Sequence, residues 1–404
     1  MRKFYGKKIV TAVLFLIFLF SFSFYNTQQA LPKIKETVRT ALEEKSQPGD
    51  IISLVEAVIN DKVYDKYIFI EAYGYLQKLM DKHETNNFEI VKDVTGKKLY
   101  YTNFATGTNE VSSLVDSMDN LSKETSDLKT KVIYLMTPDK YLAGYTKYET
   151  GIPYNYANET ADLFLDELGK KEIDYLDYRD SIMDSEIETE DLFFDTDHHW
   201  KVPTTFWAFT QLVNKLEDSY GVEFKDKDYY SNLDNYNQIT YKDSYIGSQG
   251  KKMGILYSGV EDFTLIYPKF ETSYFFYSNQ YGAETSVNGR FEDALMMNDV
   301  LTKKDKDIYD MENDKYYCYL NGNCGFVQAR NNNLEDGLKV LFIKDSMISP
   351  MAAFFTSFCS DVYMIDPRYY GGDIDEFVKE QDLDYVFVSF DPQNLTADFF
   401  KFGN

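Results

Sequence analysis

The chain of 404 residues contains few cysteines, histidines and tryptophans, with three, three and two of them respectively. Three cysteines are too few for a disulfide scaffold or for a protein that holds several zinc ions. Basic residues are also scarce, because 42 Lys and Arg stand against 66 Asp and Glu, for a formal net charge of -24. Such a charge repels a phosphate backbone, so nucleic acid is not an expected partner.

Long apolar runs are equally scarce, which excludes a polytopic membrane protein. The one such run extends from Ile9 to Tyr25 and follows a basic amino-terminal cluster. By the positive-inside rule, residues 1–32 are expected to form a cytoplasmic tip and a signal-anchor transmembrane helix. A cleaved signal peptide is the alternative, and in both cases residues 33–404 lie outside the cytoplasm, at the cell surface.

The whole sequence is 44% hydrophobic and 17% aromatic, enough to bury a sizeable core. Residues 33–128 carry amphipathic patterns that predict a helical stalk or cap. From residue 129 onward, short apolar runs that predict buried strands alternate with helical patterns. These runs are Val132–Met136, Ile173–Leu176, Leu338–Ile343, Val362–Ile365 and Tyr385–Phe390. The pattern predicts an α/β domain over 129–404, with a central parallel sheet and a β-rich insert at about 225–330.

Two of the cysteines bracket a turn-forming string. Cys318 and Cys324 flank Tyr-Leu-Asn-Gly-Asn, a spacing that predicts a short hairpin disulfide in an oxidising compartment. A zinc site would need more ligands, and no histidine lies nearby in the sequence. Cys359 stands in an apolar string and is expected to be a buried thiol.

Histidine is the most frequent general base near neutral pH, so its scarcity narrows the search for a catalytic site. His83 lies in a charged helical string and is expected to be a solvated surface residue. The other two histidines are adjacent in Asp-Thr-Asp-His-His-Trp, residues 195–200. Two acids and two imidazoles so close together are costly to bury unless they pair with one another.

A metal centre is an alternative interpretation of Asp195, Asp197, His198 and His199, because carboxylates and imidazoles are ordinary ligands. Adjacent side chains of an extended segment point apart, however. We therefore expect no metal at this cluster.

Ser346 is a second candidate for a catalytic residue. It follows the predicted strand Leu338–Ile343 and precedes a predicted helix whose first turn holds Pro350. Backbone N–H groups and the helix dipole at such a junction can stabilise an oxyanion. A simple helix N-cap is the alternative interpretation.

A family resemblance favours the catalytic interpretation. Asp197-His198-His199-Trp200 is the motif that names the DHHW family, and its Asp-x-His-Trp pattern resembles the signature of alginate O-acetyltransferases in the SGNH-hydrolase-like superfamily. Further resemblances are Thr137–Lys140 to the Pro-x-Lys loop, residues 245–252 and Tyr267–Phe270 to the DHHW insert, and Lys344-Asp345-Ser346 to Gly-Asp-Ser. The resemblance covers roughly residues 130–404.

The resemblance implies an SGNH-like three-layer fold and a triad. In this triad Ser346 is the nucleophile, His199 the base and Asp197 the orienting acid. Asp and His precede Ser here, unlike in ordinary SGNH esterases, but triads are defined by geometry and not by chain order. No cofactor is expected. The candidates for oxyanion or substrate contacts are Asn394, Lys344, His198 and Trp200. Structural roles are the alternatives for three of them: a turn for Asn394, a hydrogen bond for His198 and packing behind His199 for Trp200. Lys344 replaces the glycine of the superfamily.

Together these features predict an extracytoplasmic, membrane-anchored O-acetyltransferase that acts on a cell-surface or secreted polysaccharide. The resemblance also implies a membrane-bound O-acyltransferase partner that supplies acyl groups. A carbohydrate esterase with the same triad is one alternative, since water and a sugar hydroxyl need the same catalytic groups. A non-catalytic glycan-binding protein is another, for which Lys344 is the only hint.

Overall fold

A computed structural model describes most of the chain. The described residues are 2–43, 48–85, 87–280, 283–302 and 313–403. They divide into two compact units, with the division between Tyr73 and Gly74.

The described residues contain thirteen strands and fourteen α-helices. The strands are β1 (Glu84–Thr85), β2 (Ile90–Lys92), β3 (Leu99–Tyr101), β4 (Lys131–Met136), β5 (Asp174–Asp177), β6 (Tyr236–Tyr245), β7 (Glu261–Pro268), β8 (Tyr274–Gln280), β9 (Ala283–Gly289), β10 (Phe326–Asn331), β11 (Leu338–Lys344), β12 (Cys359–Ile365) and β13 (Tyr385–Ser389). The helices are α1 (Arg2–Glu43), α2 (Pro48–Asp61), α3 (Lys66–Leu79), α4 (Ser112–Thr125), α5 (Ala157–Lys170), α6 (Tyr178–Met183), α7 (Thr189–Leu192), α8 (Val202–Tyr220), α9 (Lys227–Tyr230), α10 (Ser248–Met253), α11 (Ile255–Ser258), α12 (Phe291–Ala294), α13 (Ser349–Phe355) and α14 (Ile374–Glu380).

The first helix contains the predicted anchor. Its apolar segment lies within Tyr5–Leu42 and is long and apolar enough to cross a membrane, a property that a signal sequence shares. The helix has 42 residues. At 1.5 Å per residue it is about 63 Å long, roughly twice the hydrocarbon thickness of a bilayer. Helical structure therefore continues beyond residue 32, where the predicted anchor ends.

The second unit is built on an eight-stranded sheet with the order β5-β4-β13-β11-β12-β10-β8-β9. The first five strands are parallel to one another. The predicted strand runs all lie in this parallel part. Strands β10, β8 and β9 extend it in antiparallel fashion, so the sheet is mixed.

Alternating side chains of the central strands face two separate cores, which produces three layers. Ile133 of β4 and Phe342 of β11 belong to one core, whereas Tyr134 and Ile343, the next residues along each strand, belong to the other. Helices α8 and α13 contribute to the first core, and α4, α5 and α14 to the second. Burial on both faces explains why these strands are continuously apolar in the sequence.

The β-rich insert at about 225–330 is present but does not stand apart. Strands β6 and β7 form a separate antiparallel pair, while β8 and β9 join the central sheet through β10. The insert therefore extends the core of the molecule.

The predicted helical stalk or cap over residues 33–128 is wrong for its second half. There the chain forms the three-stranded sheet β1-β2-β3 and then α4. Leu114, Met118 and Leu121 of α4 are buried in the second core, against the central sheet. Because this spacing gives α4 one apolar face, it covers the sheet rather than forming a stalk.

The predicted Cys318–Cys324 disulfide is not formed in the structure. Both thiols are free and buried, as is that of Cys359. The Cys324 sulfur lies 3.1 Å from the side-chain nitrogen of Asn321, whereas Cys318 ends a 3-10 turn inside the first core. Both thiols lie in the first core, and burial raises the pKa of each.

Candidate active site

Ser346 lies at the carboxyl edge of the sheet, directly beyond β11. It begins the 3-10 turn Ser346–Ile348, and the Asp345 side chain caps that turn by accepting a hydrogen bond from Met347 N at 2.9 Å. Ser346 is only 8% exposed. In open α/β sheets, ligands bind at this edge of the strands, so the position suits a reactive side chain.

The loop between α7 and α8 brings the motif histidine to this serine. The Nε2 atom of His199 lies 2.8 Å from Ser346 Oγ, and Nδ1 lies 2.6 Å from Asp197 Oδ2. The carboxylate accepts a hydrogen bond from the Nδ1–H group, which leaves the Nε2 lone pair free to accept the serine proton. The three side chains that the motifs single out thus form one continuous hydrogen-bonded line.

Two residues that sequence reasoning did not single out also hold Asp197. Tyr245 donates its hydroxyl to Asp197 Oδ2 at 2.6 Å. Ser248 donates its backbone N–H and its hydroxyl to Asp197 Oδ1, at 3.0 and 2.6 Å. Between them, a Cβ on Gly247 would lie 2.0 Å from Asp197 Cβ, so only glycine permits this close approach. The resemblance of residues 245–252 to the DHHW insert was the available signal.

The charged side chains of Lys140 and Glu261 bind the backbone of the motif loop. The Lys140 ammonium donates to the backbone oxygens of Asp195 and Asp197, at 3.0 and 2.7 Å. The Glu261 carboxylate accepts from the backbone N–H groups of Asp195 and Thr196, each at 2.7 Å. Such charge-assisted hydrogen bonds are stronger than neutral ones, so the loop backbone is fixed in position.

Aromatic side chains connect the histidine to the serine turn. The ring of Tyr316 stacks on His199 with 3.9 Å between centroids. Tyr316 and Trp200 both donate to the carbonyl oxygen of Met347, at 2.8 and 2.9 Å. Trp200 is completely buried and supports the serine turn, so the expectation that it contacts substrate is wrong.

His198 stands at the mouth of the site. Its side chain is 30% exposed, and its Nδ1 lies 3.1 Å from Asp197 Oδ1 and 2.9 Å from Ser248 Oγ. Its ring centroid is 3.9 Å from that of His199 and 6.0 Å from that of Tyr101 in β3. The position agrees with a residue that meets substrate.

The environment separates the two imidazoles electrostatically. Burial lowers the pKa of His199, and the neighbouring His198 lowers it further. Burial also lowers the pKa of His198, but the charge of Asp197, the hydrogen bond to it and the charges of Asp391 and Asp345 together outweigh burial and raise that pKa. Burial opposes ionisation of Asp197, yet the two imidazoles hold the pKa of its carboxyl below its usual range. A neutral His199 beside an ionised Asp197 is the protonation state that a general base needs.

Three of the motif side chains converge, so the prediction that they point apart is wrong for them. The possible ligand atoms of Asp197, His198 and His199 lie within 4.8 Å of one another. Both oxygens of Asp197 nevertheless accept hydrogen bonds, and His199 faces Ser346. Asp195 turns away to pair with Lys97 at 2.7 Å. The donor set is thus already engaged by protein hydrogen bonds.

Lys344 and Asn394 do not face the serine as oxyanion donors. The Lys344 ammonium is fully buried and donates to Gly322 O and Ser349 Oγ, at 2.9 and 3.3 Å, so it supplies no positive charge to the pocket. The Asn394 amide donates to the carboxylates of Asp345 and Asp391, at 2.9 and 3.1 Å. These contacts are structural, because they tie the ends of β11 and β13 together.

Known proteins resemble this chain in sequence or in fold. Residues 97–231 match the family model of the SGNH hydrolase-like domain of the acetyltransferase AlgX, a stretch that contains Asp197 and His199 and ends before Ser346. PatB1 of Bacillus cereus is 18% identical over 78% of this chain and 99% of its own, with a TM-score of 0.62. A DHHW family protein of Eubacterium siraeum is 15% identical over 77% of this chain and 94% of its own, with a TM-score of 0.53. No protein of curated function matches the sequence.

These findings confirm the predicted SGNH-like α/β fold and the resemblance to the SGNH-hydrolase-like acetyltransferases. The structural likenesses establish the fold. The family match confirms the prediction of an O-acyltransferase at the level of enzyme class.

Proposed function

We propose that this protein is an extracytoplasmic, membrane-anchored O-acetyltransferase that modifies hydroxyl groups of a cell-surface or secreted polysaccharide. The triad is Ser346, His199 and Asp197. The observation that carries the proposal is the hydrogen-bonded line through these three side chains, with 2.8 Å from serine to histidine and 2.6 Å from histidine to carboxylate.

In the first step, Ser346 Oγ attacks the carbonyl carbon of an acetyl ester donor while its proton passes to His199 Nε2. The tetrahedral intermediate carries its negative charge at the amino end of the Ser346–Ile348 turn, where the Ser346 backbone N–H stabilises it. The donor C–O bond then breaks, and His199 returns the proton to the leaving oxygen. The products are acetyl-Ser346 and the donor alcohol.

In the second step, a sugar hydroxyl attacks the acetyl group on Ser346 and gives its proton to His199 Nε2. The bond between Ser346 Oγ and the acetyl carbon breaks, and the serine regains the proton. The sum is an exchange of one ester for another. Asp197 stabilises the imidazolium that forms twice in each cycle and keeps its Nδ1 proton in place.

The donor must reach an active site outside the cytoplasm, where soluble activated acyl donors are scarce. A polytopic membrane-bound O-acyltransferase that passes acyl groups across the bilayer is the partner that we propose. The apolar segment of α1 supports a location beside such a partner, because it is long enough to span a membrane.

Acetyl transfer is tested with the purified full-length chain, p-nitrophenyl acetate and uncharged oligosaccharides, while free acetate and acetylated sugar are measured together. We expect acetylated sugar to form at the expense of free acetate as the oligosaccharide concentration rises. Free acetate alone, at every sugar concentration, would favour the carbohydrate esterase. If neither free acetate nor acetylated sugar forms, the result would favour the glycan-binding interpretation.

The pH profile provides a further prediction. Because burial lowers the pKa of His199, the imidazole stays neutral to a lower pH than an exposed histidine, whose pKa is about 6.5. The base is competent above its folded pKa and is lost as the pH falls through that value. We therefore expect the acid limb of kcat/KM for p-nitrophenyl acetate to have its midpoint below about pH 6.5. A midpoint above that value would contradict the assignment of His199 as the base.

Replacing Tyr245 with phenylalanine tests the support of Asp197. A hydrogen bond to a charged group contributes about 1.5–3 kcal/mol, so we expect a loss of this size in the free energy of unfolding. Ester hydrolysis should fall about tenfold, because one such bond corresponds to at least that factor in rate if it aligns the carboxylate. The matched control is Tyr241→Phe in the same strand, which should change neither quantity appreciably. Equal behaviour of both variants in denaturant and in the assay would refute the role of Tyr245.

A further inference from the structure

An aromatic groove lies at the same edge of the sheet as Ser346. It has a volume of about 490 Å³, within the range of roughly 300–1,000 Å³ that small-ligand sites occupy. Its lining residues come from β8, the start of β10, the loop after β12, and α14. They are Tyr277, Asn279, Gly325, Phe326, Tyr369, Tyr370, Gly371, Gly372 and Phe377.

The strand register places this groove close to the nucleophile. Phe326 at the start of β10 pairs with Ile365 at the end of β12, and Ile365 pairs with Ile343 of β11. Neighbouring strands are about 4.8 Å apart, so Phe326 lies two strand spacings, roughly 10 Å, across the edge from the strand that ends at the Ser346 turn.

Tyr317 packs against the first core, and its ring lies against Gly322 in the turn that leads to β10. Burial is the largest cause of its raised pKa, and the charges of Asp314 and Asp197 and the neighbouring Tyr369 add to it. Tyr317 therefore interacts electrostatically with Asp197 of the triad and with Tyr369 of the groove. Its hydroxyl accepts a hydrogen bond from the Asn323 side chain at 3.0 Å, which fixes the ring in position.

The chemistry of the groove favours an uncharged ring compound with hydroxyl groups. Rings of Tyr277, Tyr370 and Phe377 surround Phe326, with centroids 6.1, 6.1 and 5.5 Å from it. They are partly exposed, and the backbone of Gly371 is exposed beside them. None of the lining residues that the structure describes is charged, in a chain of net charge -24. A pyranose offers apolar C–H faces to such rings and hydroxyl groups to the glycine peptide groups and the amide side chain.

We infer that this aromatic groove is the acceptor subsite, which holds an uncharged sugar segment of the polysaccharide beside the residue that receives the acetyl group. The inference rests on the proposed function. A glycan seated there lies along the carboxyl edge of the sheet and presents a neighbouring sugar to acetyl-Ser346. Binding at the groove, separate from the reacting bond, holds the acceptor near the ester and favours transfer over hydrolysis.

Two substitutions change the groove without touching the triad. Tyr370→Ala removes one wall. Gly371→Trp fills the groove, and it is compatible with folding because a Cβ at Gly371 meets nothing within 4 Å. The matched control is Tyr229→Ala, which removes a tyrosine that is 47% exposed and does not line the groove.

The experiment measures binding of the full-length chain, in detergent, to immobilised chitopentaose, cellopentaose and polygalacturonate. We expect the unmodified chain to bind an uncharged pentasaccharide, and Tyr370→Ala and Gly371→Trp to weaken that binding at least about tenfold, while Tyr229→Ala does not. All variants should hydrolyse p-nitrophenyl acetate at the unmodified rate. The KM for sugar in acetyl transfer should rise in parallel with the loss of binding.

Three results would overturn the inference: unchanged sugar binding in both groove variants, binding of polygalacturonate alone, or no binding of either uncharged pentasaccharide. A rise in KM for long-chain acyl esters, with sugar binding intact, would instead assign the groove to the donor and would also refute the inference. Failure of the proposed function has a different signature. There, Ser346→Ala would hydrolyse p-nitrophenyl acetate as well as the unmodified chain, whatever the groove variants do.

Discussion

Replacing Ser346 with alanine is expected to abolish the acetyl-enzyme and to reduce p-nitrophenyl acetate hydrolysis by at least about 10³-fold, because the nucleophile of a triad cannot be replaced by its partners. The fold should remain, since the hydroxyl makes its hydrogen bond to His199 and a neutral bond of this kind contributes only about 1 kcal/mol. Mass spectrometry of the quenched reaction measures the acetyl adduct, and thermal unfolding measures stability.

The matched control is Ser389→Ala. Ser389 is a buried serine at the end of the neighbouring strand β13, and its hydroxyl donates to Leu135 O at 2.9 Å. This variant should lose about 1 kcal/mol of stability and keep its activity. An acetyl adduct of normal yield in Ser346→Ala would assign the nucleophile to another residue. Loss of activity in both variants would indicate a structural effect at this edge of the sheet.

The second large effect is expected at the adjacent histidines, which differ in their contacts. His199→Gln should reduce ester hydrolysis by at least about 10²-fold, the usual contribution of a positioned general base. His198→Gln should reduce ester hydrolysis by less than about tenfold. Its ring makes hydrogen bonds to Asp197 and Ser248, and the described contacts include none between this ring and Ser346.

The two histidine variants are each other's control, because both remove an imidazole that interacts with Asp197. Steady-state hydrolysis of p-nitrophenyl acetate provides the comparison. If His198→Gln were inactive and His199→Gln active, the base would be the other imidazole. If both retained full activity, the hydrogen-bonded line would have no catalytic role, and the glycan-binding interpretation would gain support.

The parallel core could be predicted because its strands are buried on both faces. Leu338–Ile343 and Tyr385–Phe390 are continuously apolar, and the structure has β11 and β13 at these positions, one residue longer and one shorter respectively. The end of the helix predicted to follow β11 could not be predicted, since α13 ends at Phe355 and β12 begins at Cys359 within one apolar stretch. Periodicity cannot separate a short helix from a strand inside one apolar run.

The surroundings of Asp197 could not be predicted, because they depend on residues about 50 positions away in the sequence. The resemblance of residues 245–252 to the DHHW insert marks this segment, but nothing in the sequence shows that Tyr245 and Ser248 donate to Asp197. Lys344 was misjudged for a related reason. A lysine in a catalytic motif suggests a positive pocket, but its buried ammonium donates a hydrogen bond to Gly322 O, which only the folded chain brings near.

The amino-acid sequence by itself determined the continuously buried strands, the apolar amino-terminal segment and the few residues capable of general base or nucleophilic chemistry. These follow from local composition and spacing, which act through burial and side-chain type. The tertiary structure decided which of those residues meet, how the insert extends the sheet, and that the chain from Gly74 onward forms one unit. Such contacts join distant segments, and their geometry is set by packing and hydrogen bonds that form only when the whole core is assembled.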